Sequence, residues 1–246
     1  MFKEEIGNEF IVIQEGTSEG TQIKYRKDGF WYKKDNRGHE GRAEYLVSKF
    51  MEFTSLKTSE EGTINGSSGC RSRNFLTGEE ELITFYRLYY NEVGKDLSKV
   101  IGNMDTMEER IEYVVSFIKE SCELDVKEYL SKIFMLDMIC LNEDRHLNNL
   151  AIIMNGDKFT PAPIFDNGIA LLTANQSVNR HFPIADNVKR VVARPFSGSH
   201  EKMMEYFGKG FSVDVNSALD WLDTEPDSME RNVLKYQIER YKGILN

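Results

Sequence analysis

Polar residues near the middle of the chain have the types and spacing of a phosphoryl-transfer site. The run DRHLNN begins at Asp144 and ends at Asn149, and the run DNG begins at Asp166 after a hydrophobic stretch. Phosphoryl transfer from ATP needs one carboxylate to orient or deprotonate the attacking hydroxyl group. It also needs an amide oxygen and a second carboxylate to hold Mg²⁺. We expect Asp144 to act on the hydroxyl group and Asn149 and Asp166 to bind the metal, since Mg²⁺ prefers hard oxygen ligands.

The segment between the two runs is predicted to bring their metal ligands together. Residues 150–154 and 158–160 form a hairpin around an Asn-Gly pair, which is a strong turn signal. A second short strand at residues 163–165 then delivers Asp166 to the start of the hairpin. Asn149 and Asp166 are therefore expected to lie close enough to ligate one Mg²⁺ ion.

Four side chains near this site have roles that the sequence leaves open. His146 is either a base or transition-state electrophile near the phosphate, or a structural residue whose ring shapes the loop. Arg145 either pairs with a carboxylate or faces solvent. Arg194 and His200 either face the cleft and contact phosphate or substrate, or belong to a surface turn.

A kinase also needs a lysine for the phosphates of the nucleotide, held by a glutamate from a nearby helix. Lys33 and Lys34 lie on a predicted strand at residues 30–34, where alternation places them on opposite faces. Propensity does not choose between the two lysines. Glu44, early in the following helix, is the expected partner, with Glu40 as the alternative.

A glycine-containing loop between the first two predicted strands is a candidate phosphate-binding element. Glycines and hydroxyl groups of such a loop can surround phosphates with backbone N–H groups. A plain hairpin turn has the same composition, and the Gly-Lys-Ser/Thr of a Walker A motif does not follow. The candidate cofactor-binding residues of the loop are Gly16, Thr17, Ser18 and Gly20.

The periodicity of the chain changes from strand-like to helix-like after residue 94, which predicts an α+β fold. The first part is expected to contain short strands, one helix and a Gly/Ser-rich loop or irregular hairpin. Its predicted elements are strands at 10–14, 21–26, 30–34 and 82–90, a helix at 42–53 and the loop at 60–73. The second part is expected to be helical at 106–121, 126–141, 215–223 and 229–245. We interpret residues 1–92 as a nucleotide-binding N-lobe and residues 93–246 as a catalytic C-lobe, with the ligand between them.

Composition excludes several classes of protein. The chain has 40 acidic and 31 basic residues, a net charge of −9, so we expect no nucleic-acid partner. Its three widely spaced cysteines indicate reduced thiols rather than a disulfide framework or a zinc site. Neither a signal peptide nor a transmembrane segment is recognisable, so we expect a cytoplasmic protein with no membrane partner.

The motifs resemble those of a known family. The DRHLNN and DNG runs are similar to the catalytic loop of phosphoinositide kinases. A longer set is similar to the bacterial HipA-like serine/threonine kinases, especially their small CtkA-like members. The matching segments are Trp31-Tyr32-Lys33, Glu40-Gly41-x-Ala43-Glu44, Gly69-Cys70-Arg71-Ser72-x-Asn74-Phe75, Ala162-Pro163-x-Phe165-Asp166-Asn167-Gly168 and Pro195-Phe196-Ser197 with His200.

This resemblance implies a bilobal protein-kinase-like fold, ATP and Mg²⁺ as cofactors, and Lys33 rather than Lys34 as the nucleotide lysine. It also implies phosphorylation of Ser or Thr in a protein substrate, and autophosphorylation at Thr17, Ser18 or Thr21. One departure is that Asp-Asn-Gly replaces the Asp-Phe-Gly of eukaryotic kinases, so switching by a phenylalanine is not expected.

Three other functions remain open on the sequence alone. A kinase of the same fold could phosphorylate a lipid or another small molecule, although the acidic net charge disfavours a membrane-facing site. The chain could also be a nucleotide-binding regulatory module without turnover. A metal-dependent hydrolase using Asp144, His146 and Asp166 is disfavoured because only four histidines are present, spread along the chain.

Overall fold

The computed structural model describes residues 1–12, 23–36, 38–54, 59–179 and 181–246. In these residues the first part of the chain forms a five-stranded sheet. Its strands are β1 (Phe2–Glu4), β2 (Lys24–Lys27), β3 (Phe30–Lys34), β4 (Ser59–Ile64) and β5 (Ser67–Arg73). The strand order is β1-β4-β5-β3-β2, with β1 parallel to β4 and the other pairs antiparallel.

Two hairpins build most of this sheet. Asp28 and Gly29 connect β2 and β3 with φ angles of 51° and 76°, as the Asp-Gly pair predicts. The β4–β5 segment is a second regular hairpin, closed by Asn65 and Gly66 at φ 51° and 73°. Of the two forms predicted for residues 60–73, a loop or an irregular hairpin, the hairpin is present, but it is regular. Its small polar residues pair along the whole ladder, and the Asn-Gly pair is again the turn.

The helix α1 (Glu40–Met51) packs against this sheet, close to the predicted residues 42–53. Two glycines allow the close approach, because a Cβ atom added to Gly41 would lie 2.6 Å from the backbone of Gly69. The predicted apolar stripe of α1 is fully buried.

The remainder of the described chain is mainly helical and contains a second, small antiparallel sheet. Its strands are β6 (Glu81–Thr84), β7 (Ala151–Asn155) and β8 (Lys158–Pro161), in the order β6-β7-β8. Its helices are α2 (Phe85–Val93), α3 (Leu97–Gly102), α4 (Met107–Cys122), α5 (Lys127–Cys140), α6 (Ile184–Asn187), α7 (His200–Phe207), α8 (Val215–Thr224), α9 (Met229–Arg240) and α10 (Lys242–Leu245). A small sheet region beside a larger helical part confirms the α+β class.

The predicted strand at residues 82–90 was wrong beyond Thr84. The hydroxyl group of Thr84 accepts a hydrogen bond from the backbone N–H of Arg87 and caps α2. Phe85, Leu88 and Tyr89 have the three- and four-residue spacing of a helical stripe, and all three are buried. Burial of this stripe against the other helices outweighs the strand propensity of the aromatic residues.

The predicted strand at residues 163–165 is likewise not formed. The pairing of the β7–β8 hairpin extends to a 3.1 Å hydrogen bond from Ala162 N–H to the carbonyl of Ala151, and Pro163, which has no N–H group to donate, follows it. The helices predicted at 106–121 and 126–141 are formed as α4 and α5, and Thr106 and Glu109 form a capping box at the start of α4. The side chain of Ser228 caps the start of α9.

The helix α5 lies at the centre of the helical part and delivers the chain to Asp144. It contributes residues to two hydrophobic clusters, one shared with α1, α8 and α9 and the other with α2 and α4. No described helix has both the length and the apolar character to cross a membrane.

Candidate active site

The loop that follows α5 is shaped by its own backbone and by one amide side chain. Leu141 ends the helix in a left-handed conformation with φ 54°. The side-chain oxygen of Asn142 accepts a 3.0 Å hydrogen bond from the backbone N–H of Asp144. Two tight turns follow, in which His146 N–H donates to the carbonyl of Asp144 and Asn149 N–H donates to that of His146, both at 2.8 Å. These hydrogen bonds fix the positions of Asp144, His146 and Asn149 relative to one another.

Arg145 braces this loop through the hydrogen bonds of its buried guanidinium group. Its side chain is fully buried and makes two hydrogen bonds to the carboxylate of Asp137 in α5, at 2.9 and 3.0 Å. Its Nη1 donates to the carbonyl oxygens of Phe165 (2.7 Å) and Asn149 (3.3 Å), and its Nη2 donates to Asn167 Oδ1 (2.7 Å). One guanidinium group therefore ties together α5, the loop and the segment that carries Asp166. Of the two roles left open for Arg145, the structure shows pairing with a carboxylate.

Asn149 and Asp166 are the candidate metal ligands, and the brace holds their backbones beside the same guanidinium. The side-chain amide of Asn149 donates a 2.9 Å hydrogen bond to the carbonyl of Asp144. Its Oδ1 is buried and has no hydrogen-bond partner among the described residues. A buried acceptor without a donor is costly, so this oxygen is suited to a cation.

The donor set also limits the kind of metal. Among the described residues, no group of three or more His, Cys, Asp and Glu side chains could hold a metal ion. One amide oxygen and one carboxylate therefore do not make a structural zinc site. They fit Mg²⁺, which keeps several of its waters and uses few protein ligands.

Asp166 lies between two lysines from neighbouring strands. Lys33 Nζ is 2.8 Å from Asp166 Oδ1, and Lys24 Nζ is 4.0 Å from Asp166 Oδ2. Lys24 and Lys33 face each other across the β2–β3 ladder. Burial opposes the charge of each group, but the lysines hold the pKa of Asp166 well below its usual range, and Asp166 and Glu44 raise that of Lys33. Lys33 and Asp166 therefore form an ion pair, whereas burial lowers the pKa of Lys24.

Glu44 connects α1 to the segment that carries Asp166. Its Oε2 accepts a 2.7 Å hydrogen bond from the backbone N–H of Asn167. The carboxylate also acts electrostatically on Lys33, the partner predicted for it. Glu40, the alternative, accepts a hydrogen bond from the backbone N–H of His39. Glu44 therefore stabilises the charge of Lys33 and also holds the backbone next to Asp166.

Asp144 stands at the more open side of the site. Its side chain is 39% exposed, with His146 Nε2 3.9 Å from one carboxylate oxygen and Arg194 Nη1 4.0 Å from the other. Burial is the main cause of a raised pKa for Asp144, and Asp166 adds to it, while His146 and Arg194 oppose it. The Nδ1 atom of His146 is buried without a partner among the described residues. Both interpretations of His146 therefore stay open.

A cavity of about 760 Å³, including its open mouth, lies against these charged groups. Part of its lining is charged and consists of Lys24, Lys33, Glu44 and Asp166. The apolar part of its lining consists of Val12, Trp31, Phe75, Leu76, Leu82 and Phe165. A cavity with an apolar part and a cationic part suits a ligand with a flat apolar ring and an anionic tail.

The structure separates the predicted site residues into those brought together and those elsewhere. Lys33, rather than Lys34, lines the cavity. The glycine-containing loop with Gly16, Thr17, Ser18 and Gly20 lies outside the described residues. His200 is buried at the start of α7 and does not line the cavity, so neither of the two roles left open for it, in the cleft or in a surface turn, fits its position.

Sequence reasoning missed the contributions of Lys24, Asp137 and Asn167. Asp137 gave a usable signal, because it is an acid within the apolar second half of its helix and a buried charge needs a partner. Lys24 gave a weaker one, since it lies opposite Lys33 only once the register of the hairpin is known. Asn167 gave none, because its contacts join segments far apart in the chain.

The fold is similar to that of solved HipA-like kinases. The proinflammatory kinase CtkA of Helicobacter pylori matches with a TM-score of 0.61 and 17% identity, over 98% of this chain and 92% of that chain. HipA of the HipA–HipB toxin–antitoxin system of Shewanella oneidensis, solved with HipB and operator DNA, matches with a TM-score of 0.56 and 10% identity. That match covers 98% of this chain and 67% of HipA. The resemblance seen in the motifs is thus confirmed for the fold.

No protein-family model matches the sequence, and neither does any curated protein. At 10–17% identity the structural likeness establishes a kinase-like fold and leaves the chemistry to the residues of the site.

Proposed function

We propose that the chain is an ATP- and Mg²⁺-dependent kinase that phosphorylates serine or threonine hydroxyl groups of proteins. The observation that carries this proposal is the carboxylate of Asp166, which lies between Lys33 and Lys24 and lines a cavity with them in a kinase-like fold. Asn149, whose buried amide oxygen has no donor among the described residues, is joined to the segment that carries Asp166 because Arg145 Nη1 donates to the carbonyl oxygens of both Asn149 and Phe165. This arrangement provides oxygen ligands for the metal, cations for the phosphates and a cavity for the nucleobase.

The cavity binds the nucleotide. Its apolar lining, which includes Phe75 and Phe165, contacts the base, and Lys24 and Lys33 contact the phosphates. Asn149 and Asp166 would hold Mg²⁺, which would supply positive charge against the phosphate oxygens. Lys33, which pairs with Asp166 in this structure, would pair with phosphate in the complex.

Asp144 orients the acceptor hydroxyl group and accepts its proton. Its pKa is raised by burial, which makes the carboxylate a better proton acceptor than a solvated one. It is also the most exposed of the three polar loop residues, which leaves room for an incoming hydroxyl group. Transfer therefore takes place between the nucleotide in the cavity and an acceptor on the side of Asp144.

The nucleotide cavity lies between two lobes in this proposal. The sheet region with α1 forms the N-lobe and the helical part forms the C-lobe. Residues of β6 and α2 pack with the helical part, since Phe85, Leu88 and Tyr89 belong to its core. This packing favours a boundary near residue 80 over the predicted one at 92.

The acceptor is a protein, and the chain also phosphorylates itself at Thr17, Ser18 or Thr21. These three residues lie outside the described part of the chain, so the proposal rests on the resemblance to HipA-like kinases. Incubation with Mg-ATP followed by mass spectrometry tests it. A labelled partner protein together with an unmodified wild-type chain would remove the self-modification.

The kinase activity itself is tested with γ-labelled ATP, offered with generic proteins and with lipid and small-molecule acceptors. The wild type is expected to label protein, and Asp144→Ala and Asp166→Ala are expected to abolish the label. Labelling of a small molecule but of no protein would show a kinase of the same fold whose acceptor is that small molecule. If the wild type and both variants bind ATP equally and none of them transfers phosphate, the chain is instead a regulatory module without turnover.

A further inference from the structure

Arg194 is the charged side chain that faces the acceptor side of Asp144. Its Nη1 lies 4.0 Å from Asp144 Oδ1, and its side chain is 60% exposed. A guanidinium group in this position can reach a residue next to the hydroxyl group that Asp144 receives. Arginine forms bidentate hydrogen bonds with carboxylate and phosphate groups, so it recognises anions at such sites.

The backbone that carries Arg194 is held in place. Ala193 N–H donates a 3.0 Å hydrogen bond to the carbonyl of Gly198 and closes a turn. Ala193 and Phe196 are buried on either side of Arg194, and the carbonyl of Phe196 accepts a hydrogen bond from Arg110 at 3.1 Å. A binding side chain on a fixed turn loses less entropy on binding than one on a loose loop.

A second contact ties this segment to the catalytic loop. Glu143 Oε1 accepts hydrogen bonds from the side-chain amide of Asn175 (2.8 Å) and from the backbone N–H of Val192 (3.4 Å). Glu143 immediately precedes Asp144, and Val192 lies two residues before Arg194. The position of the guanidinium group is thereby coupled to that of the carboxylate. Glu143 also acts electrostatically on Arg194, so the guanidinium group lies near the carboxylates of both Glu143 and Asp144.

The charge of the segment points to an acidic acceptor. Residues 184–194 contain three basic side chains and one acidic one, in a chain whose net charge is −9. Lys189 pairs with Asp186, and Arg190 donates to the carbonyl of Ser177 and lies over the ring of Phe182. Arg194, by contrast, has only the long 4.0 Å pair with Asp144 as its ion pair within the described residues.

We propose that Arg194 is a specificity-determining residue that selects serine or threonine acceptors next to an acidic side chain. The inference rests on the proposed kinase activity and adds the class of substrate to it. The acidic side chain pairs with Arg194 while the hydroxyl group lies at Asp144. A basic side chain in the same place is repelled, which gives discrimination in both directions.

Three peptides that differ only beside the acceptor serine test the proposal, with aspartate, alanine or lysine at the flanking positions. The wild type is expected to prefer the aspartate peptide over the lysine peptide by about tenfold in kcat/KM. Arg194→Gln should bring this ratio to within about threefold of one, mainly through KM, because a binding interaction is lost. Arg194→Glu should reverse the preference.

Two controls make the result specific. Lys189→Gln removes the same charge from an exposed position of the same segment and should leave the ratio within about twofold of the wild type. The alanine peptide is the second control, and Arg194→Gln should lower its kcat/KM by a smaller factor than that of the aspartate peptide, because no pairing with a flanking acid is lost. Thermal unfolding checks that the variants fold.

Equal ratios in the wild type and both Arg194 variants would overturn the proposal. A fall in kcat/KM by the same factor for all three peptides would also overturn it, since Arg194 would then act on the transfer step through Asp144 and not on the flanking side chain. Absence of any ATP turnover by the wild type would instead contradict the kinase activity. The two failures are therefore distinguishable.

Discussion

The ammonium group of Lys33 lies 2.8 Å from the carboxylate of Asp166, the same carboxylate that is proposed to hold Mg²⁺. Lys24 approaches its other oxygen at 4.0 Å. Asp166 thus has one set of partners in this structure and another in the proposed complex with nucleotide. The exchange keeps charges balanced, because the lysines pass from a carboxylate to phosphates while the carboxylate passes to a metal. In the proposed function, the ion pair is the arrangement of the site before nucleotide binds.

Removing Asp166 should destabilise the fold as well as abolish transfer. Asp166→Asn leaves two largely buried lysines facing each other without their shared carboxylate, at a cost of about 3 kcal/mol in the free energy of unfolding. The double variant Lys33→Met/Asp166→Asn should recover part of this loss. Urea unfolding measures both. The exposed pair of Lys189 and Asp186 is the control, and Asp186→Asn should cost less than about 1 kcal/mol. Equal costs at the two sites would contradict the charge cluster.

Asn149→Ala should raise the Mg²⁺ concentration needed for half-maximal phosphoryl transfer by about tenfold or more. The reason is the loss of the buried Oδ1, which has no donor among the described residues. Titration of activity with Mg²⁺ at saturating ATP measures the shift. Asn148→Ala is the neighbouring control, since Asn148 accepts a hydrogen bond from Thr84 and is not proposed to bind metal. A loss of activity that Mg²⁺ does not relieve, with its half-maximal concentration unchanged, would contradict the role of Asn149 as a ligand.

Arg145→Met should be among the most destabilising single substitutions in the chain. It leaves Asp137 buried and unpaired and removes donors from two carbonyl oxygens and from Asn167. Breaking a buried pair on one side costs about 3–5 kcal/mol. Chemical unfolding measures the loss, and Lys132→Ala, which breaks the exposed pair with Glu128, should stay within about 0.5 kcal/mol. A loss for Arg145→Met as small as that of the control would be inconsistent with the brace.

Stability should fall as the pH is lowered through the range of His200. Burial lowers the pKa of His200 and Arg145 adds to this, while Asp137 and Glu201 oppose it. The unfolded state, with a pKa near 6.5, then binds the proton more readily than the folded state. The contribution of neutral His200 is complete above that pKa. It is lost toward lower pH at up to about 1.4 kcal/mol per pH unit.

Unfolding free energies between pH 7.5 and 5.5 measure this slope. His200→Phe should flatten it, because the ring that must stay neutral is gone. His181→Gln, which removes an exposed histidine, should leave the slope unchanged. Parallel curves for the wild type and His200→Phe would show that His200 does not carry the effect.

Local signals in the sequence predicted the elements that depend on neighbouring residues. The Asp-Gly turn after β2 and the capping box at Thr106 both depend on residues within four positions of each other. The same holds for the apolar helix that leads to Asp144. Fold class and the order of the elements followed from these, because turn residues and hydrophobic period agree along most of the chain.

What the sequence did not predict depends on contacts between distant segments. The stretch after Thr84 has strand-forming aromatic residues, and its helix is selected by packing against helices later in the chain. That Lys24 lies opposite Lys33 can be predicted only when the register of the hairpin is known. The need for glycine at position 69 can be predicted only when the position of α1 is known. In the site, Asp144, Asn149 and Asp166 followed from their spacing, whereas the brace by Arg145 required the fold.

Transfer of the γ-phosphoryl group of Mg-ATP to protein by the wild type and by Asp144→Asn tests the central claim most directly. Labelled ATP and mass spectrometry give the rate and the modified residue. Asp157→Asn is the matched control, because Asp157 is an exposed aspartate in the turn of the β7–β8 hairpin. We predict transfer by the wild type and the control, and a loss of at least about a hundredfold in Asp144→Asn, which lacks the proton acceptor. Undiminished transfer by Asp144→Asn, or none by a wild-type protein that binds ATP, would contradict the account.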